Sequence, residues 1–351
     1  MKKEKIMDKK NIILADCAKD ELIDFVDGLN KVMNKKFEIN SKVCNGKRNL
    51  VYNIFRYLVY AIFPIKFLFN RKKYEYILGW QQFYALFYAF YCRIFHLKKK
   101  NILVVCNFTY KDKNGIIGNV YKKFMRYILT SEYIDYIHVP SKNYAQQCSD
   151  ILGIARDKII VTYFGIPDTY DKWKDSKCEY DNFSLAIGRS NRDYDFLIDA
   201  WKQMPKENRL LIVSDEYKTN EKLPENIILR NDINGDKQFP YIINCNLMII
   251  PIADGNICSG DTVLLKAMSF CKTVVVTEPS TLSEMYIKNQ ENGITVNKNK
   301  KNFITVIINL LNNENEISRI GNNARRSYEK TYSRLNMGKK IGGKLLHENS
   351  K

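Results

Sequence analysis

Histidine is scarce in this sequence, with three residues in 351, at positions 96, 138 and 347. The nine cysteines are scattered, and no two have the Cys-x-x-Cys spacing of a metal-binding or redox motif. This pattern argues against a zinc site and against a disulfide framework, and it fits a reducing compartment. No metal cluster is evident, so we expect no metal cofactor. The basic start of the chain precedes an apolar run too short and too acidic for a signal peptide, which predicts a cytoplasmic protein.

Acidic residues are nearly absent from 41–128, where Glu75 and Asp112 stand against 17 lysines and arginines. The whole chain has 56 basic and 38 acidic residues, a net charge of +18, so most of the surplus lies in this one region. A surface of this kind predicts an anionic partner, either a membrane or a nucleic acid. No RNA- or DNA-binding motif accompanies the charge, and we therefore expect no nucleic acid.

An uninterrupted apolar run of membrane-spanning length is also missing. Residues 50–69 are apolar and aromatic, but Arg56, Pro64 and Lys66 interrupt them, which makes a poor spanning helix. With basic residues at 71–73 beside it, the segment suits an interfacial helix next to anionic headgroups. The alternative is a core helix of the first domain with a solvated basic edge. We favour contact with an anionic membrane surface, because the charge imbalance is regional.

Short apolar runs alternate with helical patterns along the chain, which predicts parallel sheets in an α/β fold. The predicted strands are 11–15, 37–40, 76–79, 102–106, 136–139, 159–163, 183–187, 210–213, 227–230, 247–251, 274–277 and 293–296. Two sheets of this size fit two Rossmann-like domains that face each other across a cleft. We place the first domain at 1–170, the second at 171–335 and a tail at 336–351.

The most informative segment follows the buried strand that starts at residue 247. The loop 254–261, DGNICSGD, is small and polar, and Thr262 is expected to cap the helix 263–270. A second buried strand begins at Thr273. Because a helix start exposes unpaired N–H groups and a partial positive charge, this strand–loop–helix unit predicts an anion site suited to a diphosphate.

Residues 264–269, LLKAMS, and 271–277, CKTVVVT, resemble the donor-site segment of retaining family 4 of the GT-B glycosyltransferases. The family pattern there is Leu-Glu-Ala-Met-Ala followed by Gly-Lys-Pro-Val. This sequence departs at both acidic positions of the family, which Cys258 and Lys266 occupy. The resemblance is best over 183–335 and implies a GT-B fold and an enzyme of bacterial capsule or exopolysaccharide synthesis.

The resemblance also implies a set of donor-binding residues. The loop that starts at Gly188 is similar to the family's Gly-Arg-x-x-x-x-Lys-Gly, whose Arg and Lys hold the donor diphosphate; Arg189 matches directly and Arg192 is the candidate for the lysine. The implied donor site is Gly188, Arg189, Arg192, Arg230, Asn231, Ser259, Gly260, Asp261, Thr262 and Lys266. For five of these, alternatives stay open. The other interpretations are Arg189 and Arg192 as solvated loop residues, Arg230 as a surface residue, Asp261 as a helix cap and Lys266 as a snorkelling helix residue outside the site.

In the first domain the resemblance gives fewer residues. Asn107 stands at the strand end where much of the family carries a histidine near the acceptor, and His138 is expected to be a core residue. Asp16, Trp80 and Gln81 follow two other strands and are the candidates for acceptor contact, with Trp80 in the core as the alternative. The catalytic candidates are Arg189, Arg192 and Asn107, which would act by stabilising leaving-group charge.

Together these features predict an enzyme on the cytoplasmic face of the cell membrane, bound peripherally. It would transfer a sugar from a nucleotide-sugar donor, expected to be UDP-linked, to a lipid-linked saccharide in cell-surface polysaccharide assembly. The nucleotide sugar is a substrate, so no cofactor is expected. The alternative is a non-catalytic GT-B partner of an active transferase, which the loss of both family acids would explain.

Overall fold

The computed structural model of the protein describes residues 9–44, 49–257 and 259–349. The chain divides into two compact units. The first contains the chain up to Pro167 together with the segment from Arg334 onward, and the second is Asp168–Ser333. The predicted tail at 336–351 is thus part of the first unit.

The first unit is a six-stranded parallel sheet with helices on both faces, in the strand order β2-β1-β3-β4-β5-β6. Its strands are β1 Lys10–Ala15, β2 Phe37–Ser41, β3 Tyr74–Gly79, β4 Ile102–Val105, β5 Tyr136–Val139 and β6 Ile159–Val161. Its helices are α1 Ile23–Met33, α2 Leu50–Ile62, α3 Ile65–Phe69, α4 Gln82–Ile94, α5 Gly115–Leu129, α6 Lys142–Leu152 and α14 Arg334–Asn349.

The second unit is also a six-stranded parallel sheet, in the order β12-β11-β10-β7-β8-β9. Its strands are β7 Phe183–Ile187, β8 Arg209–Val213, β9 Ile227–Arg230, β10 Leu247–Ile250, β11 Thr273–Glu278 and β12 Ile294–Asn297. Its helices are α7 Tyr170–Trp173, α8 Tyr194–Trp201, α9 Phe239–Asn244, α10 Asp261–Ser269, α11 Thr281–Tyr286, α12 Lys300–Leu311 and α13 Glu314–Ser327. The predicted α/β fold of two Rossmann-like parallel sheets is confirmed.

The strands form where the sequence has short runs of β-branched and leucine residues, because a parallel sheet is covered on both faces. In β1, Ile12 and Leu14 pack with the helices α4 and α5, whereas Ile13 and Ala15 pack with α1 and α14 on the opposite face. This alternation follows from the two-residue period of a strand. Each sheet therefore has a continuous core on both sides.

Helix α14 packs against α1 through glycines on both helices. A β-carbon at Gly28 would lie 2.2 Å from the carbonyl oxygen of Leu335, and one at Gly338 would lie 2.2 Å from that of Phe25. Side chains would therefore push the two backbones apart. The close crossing buries Met337 and seats the C-terminal helix on the first sheet.

The aromatic segment forms α2 and α3, separated by a turn at Phe63–Pro64. By length and composition alone, Leu50–Phe69 is long and apolar enough to cross a membrane, and among the described helices no other stretch is. Only 17% of its most apolar window is buried. The apolar face of α2 is therefore exposed rather than part of the core, with Leu50 at 77% and Val51 at 75% exposure.

Candidate functional site

The two central strands of the second sheet are β7 and β10. Later strands follow β7 on one side and β10 on the other, so the strand order reverses between these two strands. Open α/β sheets bind ligands at such a point, outside the carboxyl ends of the strands. Two loops meet there: 188–193 after β7, and 251–260 after β10. We call them the switch loops. They contain five of the ten predicted donor residues: Gly188, Arg189, Arg192, Ser259 and Gly260.

Asn191 joins the two switch loops, and sequence reasoning missed it. Its side-chain amide donates to Ser259 Oγ at 3.0 Å and to the carbonyl oxygen of Asp254 at 2.9 Å. Its Oδ1 accepts from the Asp254 N–H at 2.7 Å. Asn191 has a φ of 57°, in the left-handed region that asparagine tolerates better than most residues. An asparagine in the loop after the first strand of the unit was the one sequence signal that could have indicated this role.

Arg192 lies between two glycines that the sequence had named. A β-carbon at Gly188 would lie 2.6 Å from Arg192 Nε, and one at Gly260 would lie 2.8 Å from Arg192 Nη2. The two glycines also have φ angles of 152° and 99°, which other residues rarely adopt. The structure thus brings Gly188, Arg192 and Gly260 together, with the guanidinium held between the two loops.

The start of α10 corrects one sequence-based expectation. The helix begins at Asp261 and its N-cap is Gly260, so Thr262 lies inside the first turn and is not the cap. Asp261 Oδ1 instead accepts from the Thr262 N–H at 2.9 Å. A glycine takes the N-cap because the chain enters the helix with a positive φ. No serine or threonine side chain therefore caps the first-turn N–H groups of α10.

Burial shapes the electrostatics of this site. It lowers the pKa of Arg192 and raises the pKa of Asp261, because each charged form loses water. The guanidinium stays protonated at any physiological pH. Its contacts are mostly with carbonyl oxygens, the shortest to Ser190 at 3.1 Å. A poorly solvated cation beside an open helix start is an arrangement that favours a bound anion.

The remaining predicted donor residues lie at the same carboxyl edge or on α10. Arg189 is the neighbour of Gly188, but its guanidinium is largely exposed and pairs with Asp215, beyond the end of β8. Arg230 ends the edge strand β9 and donates to Asp232 twice at 2.7 Å and to Glu179 at 2.8 Å. The guanidinium of Arg230 is therefore engaged inside the unit. Asn231, next to it, is exposed.

Lys266 lies on α10 and its side chain is partly buried. Its ammonium sits 5.0 Å from the centre of the Phe239 ring. Burial lowers its pKa, an effect that the charge of Asp236 partly opposes. Among the described residues, the ammonium has no hydrogen-bond or ion-pair partner. The other departure from the family pattern, Cys258, lies outside the described residues.

The first unit has its own pocket of about 330 Å³ at the carboxyl ends of β1, β3 and β4. Asp16 follows β1, and its Oδ2 accepts from the Tyr60 hydroxyl at 2.8 Å and from Gln81 Nε2 at 2.6 Å. The predicted Asp16 and Gln81 are thus in direct contact. Tyr60, from α2, is a partner that no local sequence pattern indicated, and burial raises its pKa.

Asn107 also lines this pocket, in the left-handed region with a φ of 51°. Its N–H donates to His138 Nδ1 at 3.1 Å, while His138 Nε2 lies 2.9 Å from the carbonyl oxygen of Thr162. These two contacts fix a neutral imidazole with its proton on Nε2. Burial lowers the His138 pKa to about 4. His138 is therefore a satisfied core residue that positions Asn107.

Trp80 is half-buried and lines the same pocket. Its ring packs edge-on against Phe25 at 5.0 Å, and the guanidinium of Arg334 lies 5.1 Å from its centre. Arg334 also donates to the carbonyl oxygens of Gly165 and Glu21. Arg56, from α2, completes the charged lining. Trp80 thus contributes to both the core and the pocket wall.

No group of three or more histidine, cysteine, aspartate or glutamate side chains is arranged to hold a metal ion within the described ranges. The polar groups of the two sites include arginines, amides, hydroxyls, single carboxylates and backbone N–H groups. The arginines and N–H groups can bind phosphate oxygens directly, and the carboxylates can accept hydrogen bonds from sugar hydroxyls.

Comparison with known proteins supports this picture of the fold. Residues 183–313 match the family model "Glycosyl transferases group 1". A sequence search of curated proteins finds no match. Among solved structures, Anabaena HepE in complex with UDP is similar over 96% of this chain and 100% of its own, with 12% identity and a TM-score of 0.63.

Two further structures have the same similarity in shape. A glycosyltransferase from Rickettsia africae has 16% identity and a TM-score of 0.63, covering 98% of this chain and 99% of its own. The lipopolysaccharide outer core galactosyltransferase WaaB has 14% identity and a TM-score of 0.61. The similarity covers 97% of this chain and 99% of WaaB. At these identities the similarity concerns the fold. The chain therefore has the GT-B fold, and residues 183–313 of its second unit match the model of the glycosyl transferases group 1.

Proposed function

We propose that the protein is a glycosyltransferase that moves a sugar from a UDP-linked donor to a lipid-linked saccharide in cell-surface polysaccharide assembly. One observation supports this most: the partly buried guanidinium of Arg192 lies between Gly188 and Gly260, at the open start of α10. A diphosphate needs this combination of charge, N–H donors and missing side chains. The solved structures of HepE include complexes with UDP and with UDP-glucose, which supports the choice of nucleotide.

In the proposed reaction, negative charge develops on the diphosphate as the bond to the sugar breaks. Arg192 and the first N–H groups of α10 would stabilise that charge from fixed positions. The glycines would allow the phosphate oxygens to approach the backbone. Arg189 would join them after exchanging its Asp215 partner, so its contribution should be smaller than that of Arg192.

The acceptor would bind in the pocket of the first unit. Asp16 presents a carboxylate that Tyr60 and Gln81 hold in place, and carboxylates accept hydrogen bonds from sugar hydroxyls. Asn107 would bind the acceptor through its amide, which takes up no proton at neutral pH. Trp80 would offer a ring face or edge to the sugar.

We further propose that the protein binds peripherally to the cytoplasmic face of the membrane. The face of α2 formed by Val51, Ile54, Phe55, Leu58 and Ile62 is exposed, and we call it the α2 stripe. Ile116 and Ile117 at the start of α5 are more than 80% exposed as well. Basic residues outnumber acidic ones 17 to 2 in the surrounding segment 41–128. Apolar side chains within a basic surface suit an anionic lipid surface.

A non-catalytic partner protein is the second candidate. Lys266 supports it, because a lysine cannot accept the hydrogen bonds of ribose hydroxyls as the family's glutamate does. The neutral, buried state of His138 supports it too, since the described part of the first-unit pocket offers no histidine base.

The two candidates differ in UDP release. The purified protein would be mixed with UDP-glucose, UDP-galactose or UDP-N-acetylglucosamine, with and without a bacterial lipid extract that contains saccharide carriers. A transferase should release UDP from one donor, faster with the extract. A protein that binds UDP but releases none from any donor would be the non-catalytic partner, and a protein that does neither would contradict both.

A further inference from the structure

The pocket of the first unit contains two buried polar atoms that lack a partner. These are Arg56 Nε and Asn107 Oδ1, and neither has a hydrogen-bond partner within the described residues. Leaving such an atom unsatisfied is unfavourable, because it has lost its hydrogen bond to water without gaining another. Both residues line the same cavity. The cavity therefore has one unsatisfied donor and one unsatisfied acceptor for a ligand.

The charge of Arg56 is also uncompensated. Its guanidinium lies 5.6 Å from the ring centre of Tyr60, but in the described chain it forms no ion pair. Asp16 is the only carboxylate among the residues that line the cavity, and its Oδ2 is already engaged by Tyr60 and Gln81. Arg334 adds a second guanidinium to the lining. The titratable lining of the pocket is thus two arginines and one aspartate, with tyrosine neutral.

We infer that this pocket binds an oxyanion carried by the acceptor, and that Arg56 is the residue that contacts it. The inference rests on the proposed transferase function and adds the chemical class of the acceptor. A guanidinium presents parallel N–H groups that match the oxygens of a phosphate or a carboxylate. A neutral saccharide would leave the half-buried guanidinium of Arg56 without an ion-pair partner, which is unfavourable.

The geometry of α2 indicates which oxyanion this is. Arg56 and Tyr60 are four residues apart, so they share one face of the helix. The α2 stripe lies on the opposite face, roughly 120–180° from the midpoint of Arg56 and Tyr60 at 100° per residue. An α-helix with its side chains is about 10 Å across. If the stripe enters the lipid surface, the pocket lies within about 10 Å of it, at the depth of lipid headgroups.

The oxyanion that belongs at that depth is the phosphate that joins a saccharide to its lipid carrier. A carboxylate or phosphate on the sugar itself has the same chemistry and is the other source. Either one would contact Arg56, while a sugar hydroxyl would donate to Asn107 Oδ1. The two sources differ in whether a lipid tail is needed.

Isothermal titration of the full chain tests the inference, with UDP present at saturation so that the second unit is occupied. The probes are farnesyl diphosphate and farnesol for the lipid phosphate, and glucuronate and glucose for the sugar carboxylate. The variants are Arg56→Gln and Arg56→Lys, with Arg156→Gln as the matched control. Arg156 is an exposed arginine of the same unit and lies outside the pocket.

We expect one anionic probe to bind the wild-type protein at least tenfold more tightly than its neutral counterpart. Arg56→Gln should weaken that binding at least tenfold, Arg56→Lys should weaken it less, and Arg156→Gln should leave it unchanged. Binding of farnesyl diphosphate identifies the lipid phosphate, and binding of glucuronate identifies a sugar acid. Equal affinity of wild type and Arg56→Gln for every probe, or no anion binding at all, would overturn the inference. UDP affinity, measured separately, reports on the proposed function and should be the same in all four proteins.

Discussion

Replacing Arg192 by glutamine should remove donor binding with little change in fold. The structure places its guanidinium beside the start of α10, with burial limiting its contact with water. Two unit charges about 4 Å apart attract by about 4 kcal/mol at an effective dielectric constant of about 20. Some of this is lost to the desolvation of the phosphate, which leaves about 2–4 kcal/mol. At about 1.4 kcal/mol per factor of ten, the dissociation constant of UDP should rise roughly 30- to 1,000-fold.

The assay is calorimetric titration of UDP into wild type, Arg192→Gln, Arg189→Gln and Arg209→Gln. Arg209 is the matched control, because it is an exposed arginine at the amino end of β8, the edge opposite the switch loops. Arg189→Gln should weaken UDP less than Arg192→Gln, since Arg189 is exposed and already paired with Asp215. Unchanged UDP affinity in Arg192→Gln, with wild-type UDP binding intact, would refute the assignment of the diphosphate to the switch loops.

Three further predictions concern the helix start, a buried histidine and the membrane face. Gly260→Ala should weaken UDP binding tenfold or more, because the new β-carbon would lie 2.8 Å from Arg192. Because the φ of this position is 99°, the substitution should also lower the free energy of unfolding in denaturant by about 1–2 kcal/mol. Unchanged UDP affinity would contradict the role of Gly260 in the donor site. His138 binds a proton only below a pKa of about 4 when folded but near 6.5 when unfolded, so stability should fall with decreasing pH across that window, by up to about 1.4 kcal/mol per unit. His138→Gln should reduce this slope in denaturant titrations, and an equal slope would contradict the buried neutral imidazole. Replacing Lys72, Lys73, Lys98 and Lys100 by glutamate should release the protein from anionic vesicles, because each exposed lysine contributes about 1 kcal/mol to binding. Equal binding of the wild-type protein to neutral and anionic vesicles would argue against this electrostatic contact.

The strands were predictable because a parallel sheet leaves a direct mark on the sequence. The run 247–250 is apolar throughout and 183–187 is apolar except for Ser184, and the structure has strands there because both faces of the sheet are covered. The start of α10 was not predictable by the usual preference for serine or threonine caps. Gly260 takes that position because of a positive φ, which a sequence does not display.

The sites were predictable only where a residue follows its own strand. Asp16, Gln81 and Arg192 do so, and the structure places each at a carboxyl edge. Tyr60 and Arg56 reach the first-unit pocket from α2, and each lies 40 residues or more along the chain from Asp16. Such contacts depend on packing between distant segments, which local patterns do not encode.

The central claim is that the second unit binds a nucleotide sugar. Thermal unfolding of the full chain with UDP, GDP and TDP, and with the corresponding nucleotide sugars, tests it most directly, because only a ligand that binds the native state raises its stability. At a concentration of about 100 times the dissociation constant, a bound nucleotide adds about 2.7 kcal/mol. We predict that UDP and one UDP-sugar raise the unfolding temperature of wild type and of Arg209→Gln, but not that of Arg192→Gln. No stabilisation of wild type by any nucleotide or nucleotide sugar would contradict the account.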